Sequence, residues 1–435
     1  MAKTRVLYVL HNHPTLFPGG AEQYALELFE RLRGSDEIEP LLLARIGRTS
    51  WPAGNRPGTP FMTVDGASAE YFLFTESEPW YDYFLGTSSD KSLYTTYFPD
   101  FLETYQPDVV HFQHTVHMGY DLVSTARRVL PRAPIVYTLH EYLPICHRQG
   151  QMLRTEAKNE ELCTYASPRR CNECFPDIPS REFFLRERSI KAHLANVDLF
   201  IAPSHFLLQR YVDWGVPPDR IVCEDYGRRP SVRLAEPEAD RPRNRFGYFG
   251  QFNPYKGVET LLRAMTRFED RPDIQLRLHG ANLDQQTSEF QESFAELLGE
   301  AERNVTMFGT YDPADLPWLM REIDWVVVSS RWWENSPLVI QEAFMQRRPV
   351  ICSGIGGMAE KVTHEVNGLH FAVNDPDSMA AAIERAASEP GLWERLREGI
   401  PDILTVDDHI ANLTRMYREL LDRRAEPLAE PAIQT

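Results

Sequence analysis

Two glutamates, Glu334 and Glu342, flank a stretch that reads as the entrance to a helix: Asn335-Ser336-Pro337-Leu338-Val339-Ile340-Gln341. Just before it, Trp325-Val326-Val327-Val328 is an apolar run rich in β-branched residues, which predicts a buried strand ended by Ser329-Ser330-Arg331. Ser336 offers an N-cap, and Pro337 falls at the first helical position, where proline is best tolerated. Glu334 then lies on the strand-to-helix loop and Glu342 about a turn and a half inside the helix. A helix N-terminus presents backbone N–H groups and a positive dipole end, which suits a phosphate. Carboxylates beside a phosphate repel it as charges, so their use there is to accept hydroxyl hydrogens on either side of it. A nucleotide sugar has that layout, with ribose hydroxyls on one side of the pyrophosphate and sugar hydroxyls on the other. A capped helix with two surface glutamates fits the same stretch.

The elements that must position these groups repeat along the chain. Residues 5–10 predict a first strand, followed by His11-Asn12-His13-Pro14, the turn Phe17-Pro18-Gly19-Gly20, and a helix to Leu32. Glycines here let a ligand approach the backbone at another helix N-terminus. The turn is not a G-x-G-x-x-G fingerprint, which counts against a nicotinamide or flavin enzyme. Residues 40–44 predict a second strand. Residues 68–105 are unusually aromatic, from Tyr71 and Phe72 through Trp80 to Phe101 and Tyr105. Such rings either stack on sugars or pack into a core. Strands at 107–112 and 134–139 lead into His111, His114 and His140. A histidine at a strand's carboxyl end points toward a binding crevice, whereas His111 reads better as a core histidine with its hydrogen bonds satisfied.

Between Cys146 and Cys174 the periodicity lapses. Cys146, Cys163, Cys171 and Cys174 are spaced C-x16-C-x7-C-x2-C, with basic and polar residues between them. Four thiolates at that spacing would hold a structural zinc, and four thiols without metal fit it equally. Cys223 and Cys352 read as ordinary buried cysteines. Residues 227–244, rich in charge and proline, predict a linker. After it the strand–turn–helix pattern restarts with residues 246–250, the turn Gln251-Phe252-Asn253-Pro254-Tyr255-Lys256-Gly257 and a helix to Met265. A lysine at a helix start is unfavourable to the dipole unless an anion lies between them, so Lys256 predicts a phosphate partner. Strands follow at 274–279, 304–308, 349–352 and 368–371, the third leading into Gly356-Gly357. Asp375-Pro376-Asp377 reads as a helix cap rather than an acidic metal pair. Residues 403–421 predict a final amphipathic helix, and the tail from 425 disorder.

Composition sets the limits. With 435 residues the chain can bury two or three cores. Its net charge of −17 argues against a nucleic-acid groove. No apolar run is long enough to span a membrane, and the start lacks a signal peptide, so the expectation is a cytoplasmic enzyme. Six cysteines in such a chain point to thiols or a metal site rather than a disulfide framework.

Two doubly wound halves joined by a linker, with E-x7-E in the second, resemble the retaining glycosyltransferases of family 4. The resemblance covers nearly the whole chain. It rests on Gly19-Gly20-Ala21-Glu22, Pro107-Asp108-Val109-Val110-His111, Thr138-Leu139-His140-Glu141, Gly250 with Lys256-Gly257, and Glu334 to Glu342 with Pro349-Val350 and Gly356-Gly357. It implies the GT-B fold: α/β, with two Rossmann-like doubly wound domains facing each other across a cleft. On this reading residues 1–235 are the acceptor domain, with a cysteine-rich insertion at 146–174. Residues 241–402 are the donor domain, and 403–424 a helix crossing back to the first.

The resemblance also implies roles. Glu334 would bind donor-sugar hydroxyls and Glu342 the ribose. Backbone amides of Ser336, Leu338, Val339 and Gly20, with Gly19 shaping the turn, would hold the pyrophosphate. Lys256 would neutralise the departing diphosphate, and His140 would hold the donor sugar. Where the family has Gly-Arg this chain has Gly250-Gln251, which removes a second cation from the phosphate unless Arg331 supplies one. No cofactor is implied for catalysis. The donor would be a UDP-, GDP- or ADP-linked sugar, and the acceptor a carbohydrate or lipid-linked glycan at the inner face of the membrane. A sugar-nucleotide epimerase on the same scaffold, or a non-catalytic binder of nucleotide sugars or a partner protein, are the competing expectations.

Overall fold

The computed structural model describes residues 3–16, 19–47, 60–64, 69–75, 81–154, 161–232 and 241–425. Phe17, Pro18, Trp80, residues 233–240 of the expected linker and the tail beyond Ala425 lie outside the described residues. The chain divides into two compact units. One comprises Met1–Pro203, Leu207–Gly227 and the chain from Val406 onward; the other comprises Ser204–Phe206 and Arg228–Thr405. Arg228, expected in the linker, therefore belongs to the second unit.

The first unit is built on a sheet in the order Ile221–Cys223, Leu199–Ala202, Ile135–Thr138, Val109–Phe112, Thr4–Leu10, Ile38–Ile46, Glu70–Phe74 and Phe61–Thr63. All neighbours are parallel except the last pair. Val6 to Leu10 are all fully buried, as expected of a parallel strand covered on both faces. Of the described aromatics between 69 and 105, Tyr81, Phe98 and Phe101 are buried and most of the others half-buried. Tyr71 stands edge-on to Phe101, while Tyr83 is exposed.

The last helix, Val406–Ala425, belongs to this unit. Its buried Tyr417 hydroxyl lies 2.6 Å from His111 Nδ1 and 3.1 Å from the Tyr8 hydroxyl. His409 Nε2 lies 2.7 Å from the Tyr24 hydroxyl. The helix starts at 406 rather than 403. Thr405 forms a β-bridge with Arg228, whose N–H donates to Leu404 O, so the residues just before the helix are extended.

The second unit has an all-parallel sheet in the order Val305–Gly309, Gln275–His279, Arg245–Phe249, Trp325–Val328, Val350–Ser353 and Gly368–Phe371. Side chains alternate between two cores. Trp325 and Val327 join Phe246, Leu276 and Ile351 on one face; Val326 and Val328 join Phe249, Ile340 and Cys352 on the other. Among the described residues no helix is long and apolar enough to cross a membrane.

The 146–174 segment is not wholly irregular. It holds the short hairpin of Leu153–Arg154 with Glu161–Leu162, then the helix Pro168–Cys174, which is capped by Ser167 and has Pro168 in its first turn. Two-residue strands and a seven-residue helix are too short to leave a period in the sequence.

Candidate functional site

In the second unit the first strand, Arg245–Phe249, lies beside the fourth, Trp325–Val328, and the chain leaves them toward opposite edges of the sheet. Such a switch point opens a crevice at the carboxyl ends of the strands. Lys256 follows the first of these strands and Glu334 the second. The Lys256 turn is held by Asn253, whose Oδ1 accepts from the N–H groups of Tyr255 and Lys256, both at 3.0 Å. Gly257 closes it with φ +68°, and a Cβ there would stand 2.0 Å from Ser329 O. Only glycine allows the turn to lie this close to the end of the neighbouring strand. Two further bonds join them: Ser329 Oγ donates to Lys256 O at 2.8 Å, and Arg331 N–H to Tyr255 O at 2.9 Å.

The Glu334 loop is fixed from its other side. Gly357 N–H donates to Glu334 O at 2.8 Å, and a Cβ on Gly357 would stand 1.8 Å from Asn335 O. The Glu334 side chain is 8% exposed, and its Oε1 receives Lys256 Nζ at 2.6 Å, Ser330 Oγ at 2.6 Å and Trp332 Nε1 at 2.9 Å. Burial alone would raise this carboxyl. The Lys256 charge, with hydrogen bonds from Lys256, Ser330 and Trp332, outweighs it and holds the group below the ordinary glutamate value. All three donors converge on one oxygen, so Oε2 stands outside the set. Lys256, at its helix start, is thus paired with the Glu334 carboxylate.

The helix carrying Glu342 spans Leu338–Met345, one residue later than the expected Ser336 cap allows. Asn335 Oδ1 accepts the Ser336 N–H at 2.6 Å, and Pro337, with ψ 118°, occupies the cap position without a side-chain cap bond. The Leu338 and Val339 amides therefore make up the first turn, where helix geometry leaves N–H groups without intrahelical acceptors. Glu342 Oε1 lies 2.8 Å from Arg228 Nη2, with the side chains 21% and 12% exposed. Sequence reasoning missed Arg228, because a charged residue in a proline-rich stretch reads as linker. Nearby, Gly250 N–H donates to His279 O, and a Cβ on Gly280 would stand 2.2 Å from Gly250 O. Gln251 is exposed, and its Oε1 accepts from Asn253 Nδ2 at 3.4 Å.

The first unit has its own switch point, where Thr4–Leu10 lies between Ile38–Ile46 and Val109–Phe112. His11 and His114 emerge there with ring centroids 4.2 Å apart. His11 Nε2 pairs with Glu22 Oε1 at 3.0 Å, and His114 Nε2 with Glu141 Oε1 at 3.4 Å. Gly19 makes room for this carboxylate: a Cβ there would stand 2.4 Å from Glu22 Oε2, at the start of the Gly20–Leu32 helix. Burial, then the His114 charge, lowers His11 to about 4. Sequence reasoning assigned no role to His11 or Glu22; two histidines at the ends of adjacent parallel strands were the available signal. His140 has both ring nitrogens engaged, Nδ1 with the Tyr226 hydroxyl at 2.7 Å and Nε2 with Gln113 Oε1 at 3.0 Å. Burial holds it well below the ordinary histidine value, so it is neutral at pH 7. His111 is wholly buried between Tyr417 and Thr138.

Cys146, Cys163, Cys171 and Cys174 line one cavity of about 20 Å³. Asp375 caps the Pro376–Ser388 helix, its side chain accepting from the N–H groups of Asp377 and Ser378.

Comparison with known proteins agrees with this architecture. The model of the family described as Glycosyltransferase Family 4 matches residues 18–223, and that of Glycosyl transferases group 1 matches residues 234–401. The uncharacterized glycosyltransferase MJ1607 of Methanocaldococcus jannaschii is 31% identical over 147 residues, 34% of this chain and 36% of that protein. The chain spans a third to about a half of the length of the curated relatives it matches. Among solved structures, sucrose-phosphate synthase from Thermosynechococcus elongatus superimposes with a TM-score of 0.69 at 19% identity, covering 96% of this chain and 100% of that one. Anabaena Alr3699/HepE in complex with UDP gives 0.66 at 16% identity, with the same coverage. At such identities the likeness shows the fold. Two adjoining family models that between them match most of the chain, over two Rossmann-like domains, place it in the family 4 glycosyltransferases of GT-B fold.

Proposed function

We propose that the protein moves a sugar from a nucleoside-diphosphate sugar to a hydroxyl of a glycan or lipid-linked glycan, with retention of configuration and without a metal in the reaction. The observation that carries this reading is the Lys256–Glu334 pair at the switch point of the second unit. A nucleoside diphosphate leaves with growing negative charge, and a fixed ammonium with helix N–H groups aimed at it stabilises that charge before any reorganisation. Lys256 serves this purpose by exchanging Glu334 for the diphosphate as the donor enters. The amides of Leu338 and Val339 hold the diphosphate, while the Ser336 amide is retained by Asn335. Glu334, freed of one donor, accepts hydroxyls of the sugar; Glu342, steadied by Arg228, accepts those of the ribose. The Gly19-Gly20 turn and His140 are the contributions we assign to the first unit.

In the step itself the bond from the anomeric carbon to the phosphate oxygen breaks and the bond to the acceptor oxygen forms on the same face. The acceptor proton passes to the departing phosphate. HepE was solved with UDP and with UDP-glucose, which supports a uridine nucleotide as the first donor to try. Thiols at Cys146, Cys171, Cys174 and Cys352 suit a cytoplasmic setting, at or near the inner face of the membrane. The test is transfer from a panel of nucleotide sugars to simple acceptors, with the anomeric configuration of the product read by NMR. A product of inverted configuration, or donor isomerised without any acceptor, would refute the proposal.

A further inference from the structure

We propose that Cys146, Cys163, Cys171 and Cys174 form a structural zinc site that ties the 146–174 excursion of the first unit to the carboxyl end of its sheet.

The four thiols come from three separate pieces of chain and meet at one place. Cys146 closes a turn after the Ile135–Thr138 strand, its N–H donating to Tyr142 O at 2.8 Å. Cys163 follows the outer hairpin strand and donates its N–H to Met152 O at 2.7 Å. Cys171 and Cys174 sit three apart on the Pro168–Cys174 helix, a spacing that puts both on one face. Their shared cavity of about 20 Å³ suits a single ion or water.

Two further observations point to a metal. The helix bearing two of the cysteines buries none of its residues; a strand of two residues precedes it, and the Ser180–Leu194 helix packs against it. Met152 and Leu153 are the buried apolar side chains of the excursion, so its cysteine-bearing helix has no buried anchor of its own, and a metal would supply one. Three arginines, Arg148, Arg154 and Arg170, line the same cavity. A tetrathiolate zinc carries a net charge of about −2, which Arg148 and Arg170 would offset, Arg154 being paired with Glu173 at 2.9 Å.

Among the described residues no three of the four sulfurs lie within 4.8 Å of one another. Zn–S bonds of about 2.3 Å set tetrahedral sulfurs about 3.8 Å apart, so loading draws them inward. Cys163 gives up its S–H contact to Tyr165 O in the process. The balance is one Zn²⁺ bound and one proton released from each of the four thiols.

The test uses the full chain purified without added zinc or chelator. Elemental analysis should find about one zinc per chain, retained in Cys223→Ser and lost in Cys171→Ser. Thiol titration of the native protein should show four cysteines protected until a chelator is added. Because Cys171→Ser also alters the helix of the excursion, Co²⁺ added to zinc-stripped wild-type protein supplies an independent reading, the intense thiolate charge-transfer and tetrahedral d–d bands. Zinc-free protein whose thiols react equally with and without chelator overturns the proposal. So does a mass lacking two hydrogens for each disulfide formed among the four, or cobalt spectra without thiolate bands.

Discussion

Lys256 Nζ stands 2.6 Å from Glu334 Oε1, so the cation and the carboxylate that would serve two parts of a donor are paired with each other across the switch point. The pair keeps Glu334 ionised in a buried position and holds the lysine head in place. Replacing Lys256 with Met leaves the carboxylate with Ser330 and Trp332 as donors. Losing a charge-assisted bond of this kind costs about 1.5–3 kcal/mol. A group whose native carboxyl value is depressed adds stability above its unfolded value and loses it as pH falls through the native one. Denaturant unfolding of K256M at neutral pH should therefore show the loss, shrinking as pH falls below the ordinary glutamate value and Glu334 is protonated. A loss independent of pH would contradict the pairing.

Gly357→Ala probes the loop without touching a charge. Its Cβ would stand 1.8 Å from Asn335 O, so the loop that presents Glu334 must move. Sugar transfer should fall by roughly 100-fold, the scale of a misplaced reacting group, while circular dichroism stays native. Wild-type turnover in G357A would mean the loop position is unimportant.

Arg228→Ala removes the guanidinium 2.8 Å from Glu342 Oε1. If that contact steadies Glu342 for the ribose, affinity for the nucleoside diphosphate should weaken by about tenfold, or about 1.4 kcal/mol, by calorimetry. Binding that is unchanged would remove Arg228 and Glu342 from the nucleotide site.

The sheets were legible in the sequence because parallel strands buried on both faces leave continuous apolar runs, as Val6–Leu10 and Trp325–Val328 do. Asp375 was legible for a different reason: its cap bonds reach only two and three residues onward. What escaped were bonds between residues far apart in sequence. Arg228 meets Glu342 across 114 positions, and His11, Glu22, His114 and Glu141 come together only once their strands are adjacent. The helix start at Leu338 was placed one residue early because Pro337, with ψ 118°, takes the extended cap position expected of Ser336, and the residue order does not fix that backbone angle. Lys256 was read as needing an anion, and its pairing with Glu334 is a contact 78 positions away that the residue order does not show.

Burial lowers His11 to about 4 and His111 to about 3, against about 6.5 in an unfolded chain. Between those values the unfolded state binds more protons, so stability falls as pH drops below about 6.5. At pH 5.5 each residue should cost on the order of 1 kcal/mol. Urea midpoints at pH 7.5 and 5.5 check this, and H111N should reduce the difference. Equal midpoints would show that neither ring is kept neutral by the fold.

The most direct test of the central claim is calorimetric binding of UDP, GDP and ADP to the full chain, with and without added Mg²⁺, comparing wild type with E334Q. The account predicts that one nucleoside diphosphate binds without the metal. It also predicts that E334Q binds it with similar affinity but no longer transfers sugar from the matching donor. Binding that requires Mg²⁺, or E334Q turning over at the wild-type rate, would contradict it.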